Sequence, residues 1–177
     1  MSRRSRGPAS PRTKAALLST TVGVVLLMGL PDRELSPEEA SEARVQHELH
    51  LEADELRSAI EEYRRDHNQW PGRGPGAGHA WRSSETWLVR QLTMASNEMG
   101  EVVPIQEEAY PFGPYLPHGL PANPINGLAD VRVLASGESP PTSADDQSGW
   151  VYDASNGTLW PNATGALPHS GRAYFDL

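Results

Sequence analysis

The sequence predicts an α+β domain preceded by an apolar amino-terminal helix, and three observations carry that prediction. Residues 15–30 hold no charge, residues 36–67 repeat apolar side chains at helical spacing, and Trp150-Val-Tyr152-Asp faces Thr158-Leu-Trp160 across Asn156-Gly157.

The apolar run sits behind Arg3, Arg4, Arg6, Arg12 and Lys14 and stops at Pro31. Sixteen uncharged residues span about 24 Å as a helix, a marginal crossing of a hydrocarbon core roughly 30 Å thick. Five cations and no acid precede the run, so the positive-inside rule holds the amino end in the cytoplasm. The expectation is a single-pass protein of the inner (cytoplasmic) membrane with its carboxyl-terminal domain periplasmic or otherwise extracytoplasmic. A cleaved signal peptide is the second reading, but Met28-Gly29-Leu30-Pro31 offers no small-x-small site. A buried core helix is the third, and it leaves the basic flank without a purpose.

Composition narrows the function classes. Beyond the leader stand 10 basic and 23 acidic residues, a net charge of −13, a surface that repels nucleic acid. With no cysteine there is neither a disulfide framework nor a thiolate metal site. Sixteen Gly and sixteen Pro in 177 residues point to a loop-rich carboxyl half and one modest domain.

Ser36-Pro37-Glu38-Glu39 reads as a helix start, with Ser36 as cap, Pro37 at the first helical position and Glu39 completing a capping box. The helix runs to about His67. Val45, Leu49, Ala53, Leu56, Ile60 and Tyr63 form one apolar stripe that needs a partner surface. Glutamates near its start and Arg64 and Arg65 near its end complement the helix dipole. Trp70-Pro71-Gly72 ends it, and residues 73–78 read as a loop. A shorter helix is expected from about Ser84 to Asn97, with Leu88, Leu92 and Ala95 on one face and Trp87 beside them. Residues 104–126 form a Pro-rich extended passage. Val131 and Val133 alternate like a strand, and a polar loop covers residues 136–148.

Little catalytic chemistry is legible. His47-Glu48-Leu49-His50 places its histidines three apart, where a zinc protease helix needs four. His50 and Asp54, four apart, are compatible with a metal edge but are more simply a polar helix face. No nucleophile elbow or phosphate loop occurs. Asp145 and Asp146 offer hard oxygen ligands to calcium in a loop, against the simpler reading of a solvated acidic turn. Apart from that calcium, no cofactor is expected. Trp81, Trp87, Trp150, Tyr152 and Trp160 suit either a sugar- or partner-binding strip or a small core, and the core reading is favoured for Trp150 and Tyr152.

Several of these parts, in this order, resemble the type IV pilin-like proteins, and within them the major pseudopilin of type II secretion. The resemblance rests on the stem Leu56-Arg-Ser-Ala-Ile60-Glu-Glu-Tyr63-Arg-Arg-Asp66-His-Asn-Gln-Trp70-Pro71. It continues through Gly113-Pro-Tyr115-Leu-Pro117, Leu120-Pro-Ala-Asn123-Pro124-Ile-Asn-Gly127 and the closing Gly149-Trp150-Val-Tyr152-Asp-Ala-Ser-Asn-Gly157-Thr-Leu-Trp-Pro161-Asn162. Together these cover roughly residues 44–165. The resemblance implies a long helix packed on a small antiparallel sheet and a non-catalytic structural or assembly role with secretion or envelope proteins, the membrane, or further copies as partners. The chain lacks the family's Gly-Phe-Thr-Leu-Ile-Glu-like leader junction and its buried glutamate, so the apolar run reads as a tether more than a filament core. The implied organisation is a basic leader (1–14), a transmembrane anchor (15–31), a stem (36–70), a pilin-like head (71–165) and a tail (166–177). Val45, Leu49, Leu56, Ile60, Tyr63, Trp150 and Tyr152 are its candidate interaction residues. The alternative function is an exported protein binding calcium or a glycan through the acidic loop and the aromatic residues.

Overall fold

The computed structural model describes residues 35–75 and 81–177, the side chains of residues 75 and 81–83 excepted. One 31-residue helix, α1 (Pro37–His67), dominates them. Its start is built as the sequence dictates: Ser36 Oγ accepts from the Glu39 amide (3.2 Å) and Glu39 Oε2 from the Ser36 amide (2.8 Å). Its end is set by Asn68, which turns into the left-handed region at φ 52°, where an asparagine is tolerated better than most residues.

The stripe of α1 is buried from Leu49 onward: Leu49, Ala53, Leu56, Ala59, Ile60, Tyr63 and His67. It packs into one cluster with Leu88 and Leu92, Leu116, Val131, Trp150, Tyr152 and Leu159. Leu88 and Leu92 come from α2 (Glu85–Thr93), which Ser84 caps by accepting from the Trp87 amide; Leu116 comes from a connecting segment and the rest from a three-stranded sheet described below. The α+β class and the long helix are therefore present.

Other expectations need correction. The predicted fold class included a membrane helix and the predicted localisation a single pass through the inner membrane. Among the described residues, no helix is long and apolar enough to cross a membrane, because α1, the one long helix, carries charged residues throughout its length. The run 15–30 on which those expectations rested lies outside the described residues, as do the leader 1–14 and Pro31.

The sheets also differ from a single antiparallel one. Residues 73–78, read as a loop, begin with β1 (Arg73–Pro75), which pairs antiparallel with β2 (Trp81–Ser83). The second helix stops at Thr93 rather than Asn97 because Met94 is extended (φ −121°, ψ 166°). Residues Ala95–Ser96 then form β3, antiparallel to β4 (Val102–Val103). In the main sheet, β5 (Val131–Val133) runs parallel to β6 (Trp150–Asp153), and β6 is antiparallel to β7 (Thr158–Pro161). The long loop between β5 and β6 provides the crossover that a parallel pair requires.

The β6–β7 hairpin is as the sequence indicates, closed by residues 154–157 with Asp153 opposite Thr158. Gly157 sits at φ 81°, and a Cβ there would lie 2.3 Å from the Trp70 ring. Trp70 thus lies flat on the turn, with Arg64 stacked 4.4 Å over its ring centroid. Residues 166–177, read as a tail, are folded back: Leu167 is buried, Tyr174 and Leu177 pack on the core, and Tyr174–Asp176 forms a 3-10 turn.

Candidate functional site

The candidate interaction residues are gathered, but inward. Leu49, Leu56, Tyr63, Trp150 and Tyr152 are completely buried and Ile60 nearly so, while Val45 is half-buried. Apart from Val45, they belong to the core that holds the domain together and present almost no surface to a partner. Trp150 donates from Nε1 to the Pro121 carbonyl (2.9 Å) and Tyr152 from its hydroxyl to the Pro71 carbonyl (3.3 Å), so each large ring also satisfies its polar atom. Neither ring has a face for a sugar. Trp87 and Trp160 are half-buried, and the side chain of Trp81 lies outside the described part.

Asp145 and Asp146 lie in the expected loop, where Asp145 Oδ1 and both oxygens of Asp146 accept from the chain's own donors. Asp145 Oδ1 accepts from Asn162 Nδ2 (2.7 Å) and the Gln147 amide (3.0 Å), and Asp146 accepts from the amide and hydroxyl of Thr164. The Asn162 amide beside Asp145 and the Thr164 hydroxyl beside Asp146 hold both carboxyls below the usual range. Asn162 is itself buried and also donates to Ser148 Oγ (2.9 Å). Asn123 donates to the Gly149 carbonyl (2.8 Å), and Asn126 donates to those of Ser148 (3.1 Å) and Asn162 (3.0 Å). The acidic loop is thus a clasp of three asparagines, two of which, Asn123 and Asn162, are fully buried. Their positions in a Pro- and Gly-rich passage gave no periodic signal.

His50 is half-buried, and Asp54 pairs with Arg57 at 3.1 Å. Among the described residues, no group of three or more His, Asp or Glu is placed to hold a metal.

A different feature stands out at the carboxyl end of α1. A cleft of about 770 Å³ opens there, lined among others by His67, Arg73, Trp87, Arg90, Glu98 and Met99. On its floor, His67 Nε2 lies 3.0 Å from Ser96 Oγ and 3.2 Å from the Tyr115 hydroxyl, which donates to Asp66 Oδ2 (2.9 Å). His67 is packed edge-on by Phe112 and tilted against Tyr63. Burial lowers its pKa below the ordinary histidine value, only partly opposed by the Asp66 charge and the Glu98 backbone. Burial pushes the Tyr63 and Tyr115 hydroxyls upward, so both stay neutral. Ser96 is fully buried, which removes it from any substrate and makes the Ser96–His67 contact a packing bond. Gln91, also buried, donates to the Arg73 carbonyl (3.0 Å) and accepts from the Gly72 amide (2.8 Å), tying α2 to the turn after α1. His67 was read in the sequence only as the approximate end of the helix within the stem, because nothing local marks Ser96, Phe112 and Tyr115 as its neighbours.

Fold and cleft together define a small α+β domain built on one long helix, with a surface cleft where that helix ends. Comparison with family models, with curated proteins and with solved structures finds no match to this chain.

Proposed function

We propose that this domain is a pilin-like, non-catalytic structural or assembly unit related to type II secretion pseudopilins, working through contacts with secretion or envelope proteins and with its own copies. The observation that carries the reading is the docking of one stripe of α1 on the β5–β6–β7 sheet, with the closing hairpin where the resemblance expects it. The residues that carry the resemblance are also those that build the unit: Tyr63 and Trp70 around the helix end, Asn123 and Asn126 in the loop clasp, Trp150, Tyr152 and Gly157 in the hairpin. A fully buried serine beside a buried histidine supports a structural use of the pair over a catalytic one. The ligand-binding alternative has less support, since Trp150 and Tyr152 are buried and Asp145 and Asp146 are occupied within the loop.

Deletion of the gene in its host tests the reading. Loss or accumulation of specific exported proteins, restored by the wild-type chain, is the expected outcome, and an unchanged exported proteome sinks it.

A further inference from the structure

Two surfaces of this domain complement one another and cannot meet within one molecule. The first is the outward face of α1, where Arg44, Glu48, Leu51 and Glu55 follow at steps of four, three and four and all are exposed. Leu51 is 54 % exposed with an acid one turn to either side. Neither Glu48 nor Glu55 makes an ion pair among the described residues. The second surface is the cleft, where Trp87 and Met99, the latter 73 % exposed, supply apolar walls. Arg73 and Arg90, the latter over the Trp87 ring, line it without an ion-pair partner among the described residues, together with Glu98 and Glu101. In a domain with a large acidic excess, two arginines without an ion-pair partner among the described residues at an apolar cleft, with its Glu101 held by Asn97, suit an acidic helix face that carries one leucine. Leu51 lies 16 residues before His67 on one helix, about 24 Å along its axis, so the contact is between molecules.

We propose that the cleft receives the outward face of α1 of a second copy. Leu51 enters between Trp87 and Met99, Glu48 and Glu55 pair with Arg73 and Arg90, and Arg44 faces Glu98. The contact joins unlike surfaces, so each added copy leaves one of each free, and the series ends only if its rotation closes a ring. It rests on the assembly reading and specifies which surfaces self-associate.

The full chain provides a clean test because it has no cysteine. Sedimentation velocity of the wild-type chain is expected to show concentration-dependent oligomers. Arg73→Glu/Arg90→Glu, which spoils the cleft, and Leu51→Asp, which spoils the stem, are each expected to sediment as monomers with unchanged circular dichroism. Mixed together they retain one good surface each and are expected to form a capped dimer and nothing larger. Mixing Leu51→Cys with Met99→Cys under mild oxidation is expected to give a disulfide-linked pair that neither forms alone. Oligomers that survive both charge variants would overturn this contact while leaving assembly through another surface. A wild-type chain monomeric at all concentrations would overturn it too, with the gene deletion still deciding the assembly reading independently.

Discussion

His67 shows how much one side chain is asked to do. It is the last residue of α1, 8 % exposed, and its Nε2 meets Ser96 and Tyr115. Its folded pKa lies below the unfolded value near 6.5, so between the two the unfolded chain binds more protons. The stability this neutral ring supports is therefore full above the unfolded pKa and is lost as pH falls toward the folded one. Urea midpoints measured from about pH 8 down to pH 5 are expected to decline below about 6.5, and His67→Gln is expected to flatten that decline. Gly157 is a second single-residue constraint, because positive φ and the Trp70 ring both exclude a side chain there. Gly157→Ala is expected to cost on the order of 1–2 kcal/mol, measurable by denaturant unfolding.

At the scale of elements, α1 was legible because a 3.6-residue period, a capping box and a dipole-matched charge order agree along 31 residues. The hairpin was legible for a similar reason, Asn-Gly between aromatic runs. A three-residue strand such as β1 carries too few alternations to declare itself; β5 was legible from Val131 and Val133, but its parallel pairing with β6 is decided by tertiary contacts. The end of α2 was missed because Met94 and Ala95 are sound helix formers, and only the pairing of Ala95 and Ser96 with β4 carries the chain into a strand after the extended Met94. The loop's acids lie in a turn as read, with Asp145 exposed, but the clasp around them was not legible because they meet Asn162 and Thr164 across 17 and 18 residues. The carboxyl-terminal segment was likewise read as a plain tail, yet Glu42 of α1 accepts from the Ser170 hydroxyl (2.8 Å) and from the amides of Ser170 and His169. Burial alone would raise the Glu42 pKa, but these donors outweigh it and hold it below the usual carboxyl range. Glu42→Gln is therefore expected to speed amide hydrogen exchange in residues 167–177 and to leave β6 and β7 unchanged. Unchanged exchange in the tail would mean that Leu167 and Tyr174 hold it without the carboxylate.

For the molecule as a whole, one core is shared by α1, α2 and the main sheet, so loss at its centre is felt everywhere. Leu56 is completely buried within it. Leu56→Ala is expected to cost about 2–5 kcal/mol and to lower the melting of helix and sheet signals together. Separate transitions would mean that the helix and the sheet are not one cooperative unit. Residues 35–177 form a compact unit without any disulfide, and its irregular half is ordered by side-chain to backbone bonds such as those of Asn123, Asn126 and Trp150.

The Glu42–Ser170 contact gives this unit a mechanical property. Six residues into α1 and seven before the last residue, the contact brings the start of the stem and the end of the chain side by side. Tension applied between the first turn of α1 and Leu177 loads that clasp before it loads the sheet, and the clasp is a few exposed hydrogen bonds. A force spectrum pulled from those two points is expected to begin with a small early release of residues beyond Gly165, followed by one larger event as the core gives way. The clasp is then a fuse: it yields first, lengthens the chain end by about a dozen residues, about 40 Å when fully extended, and spares the helix–sheet joint from the initial load.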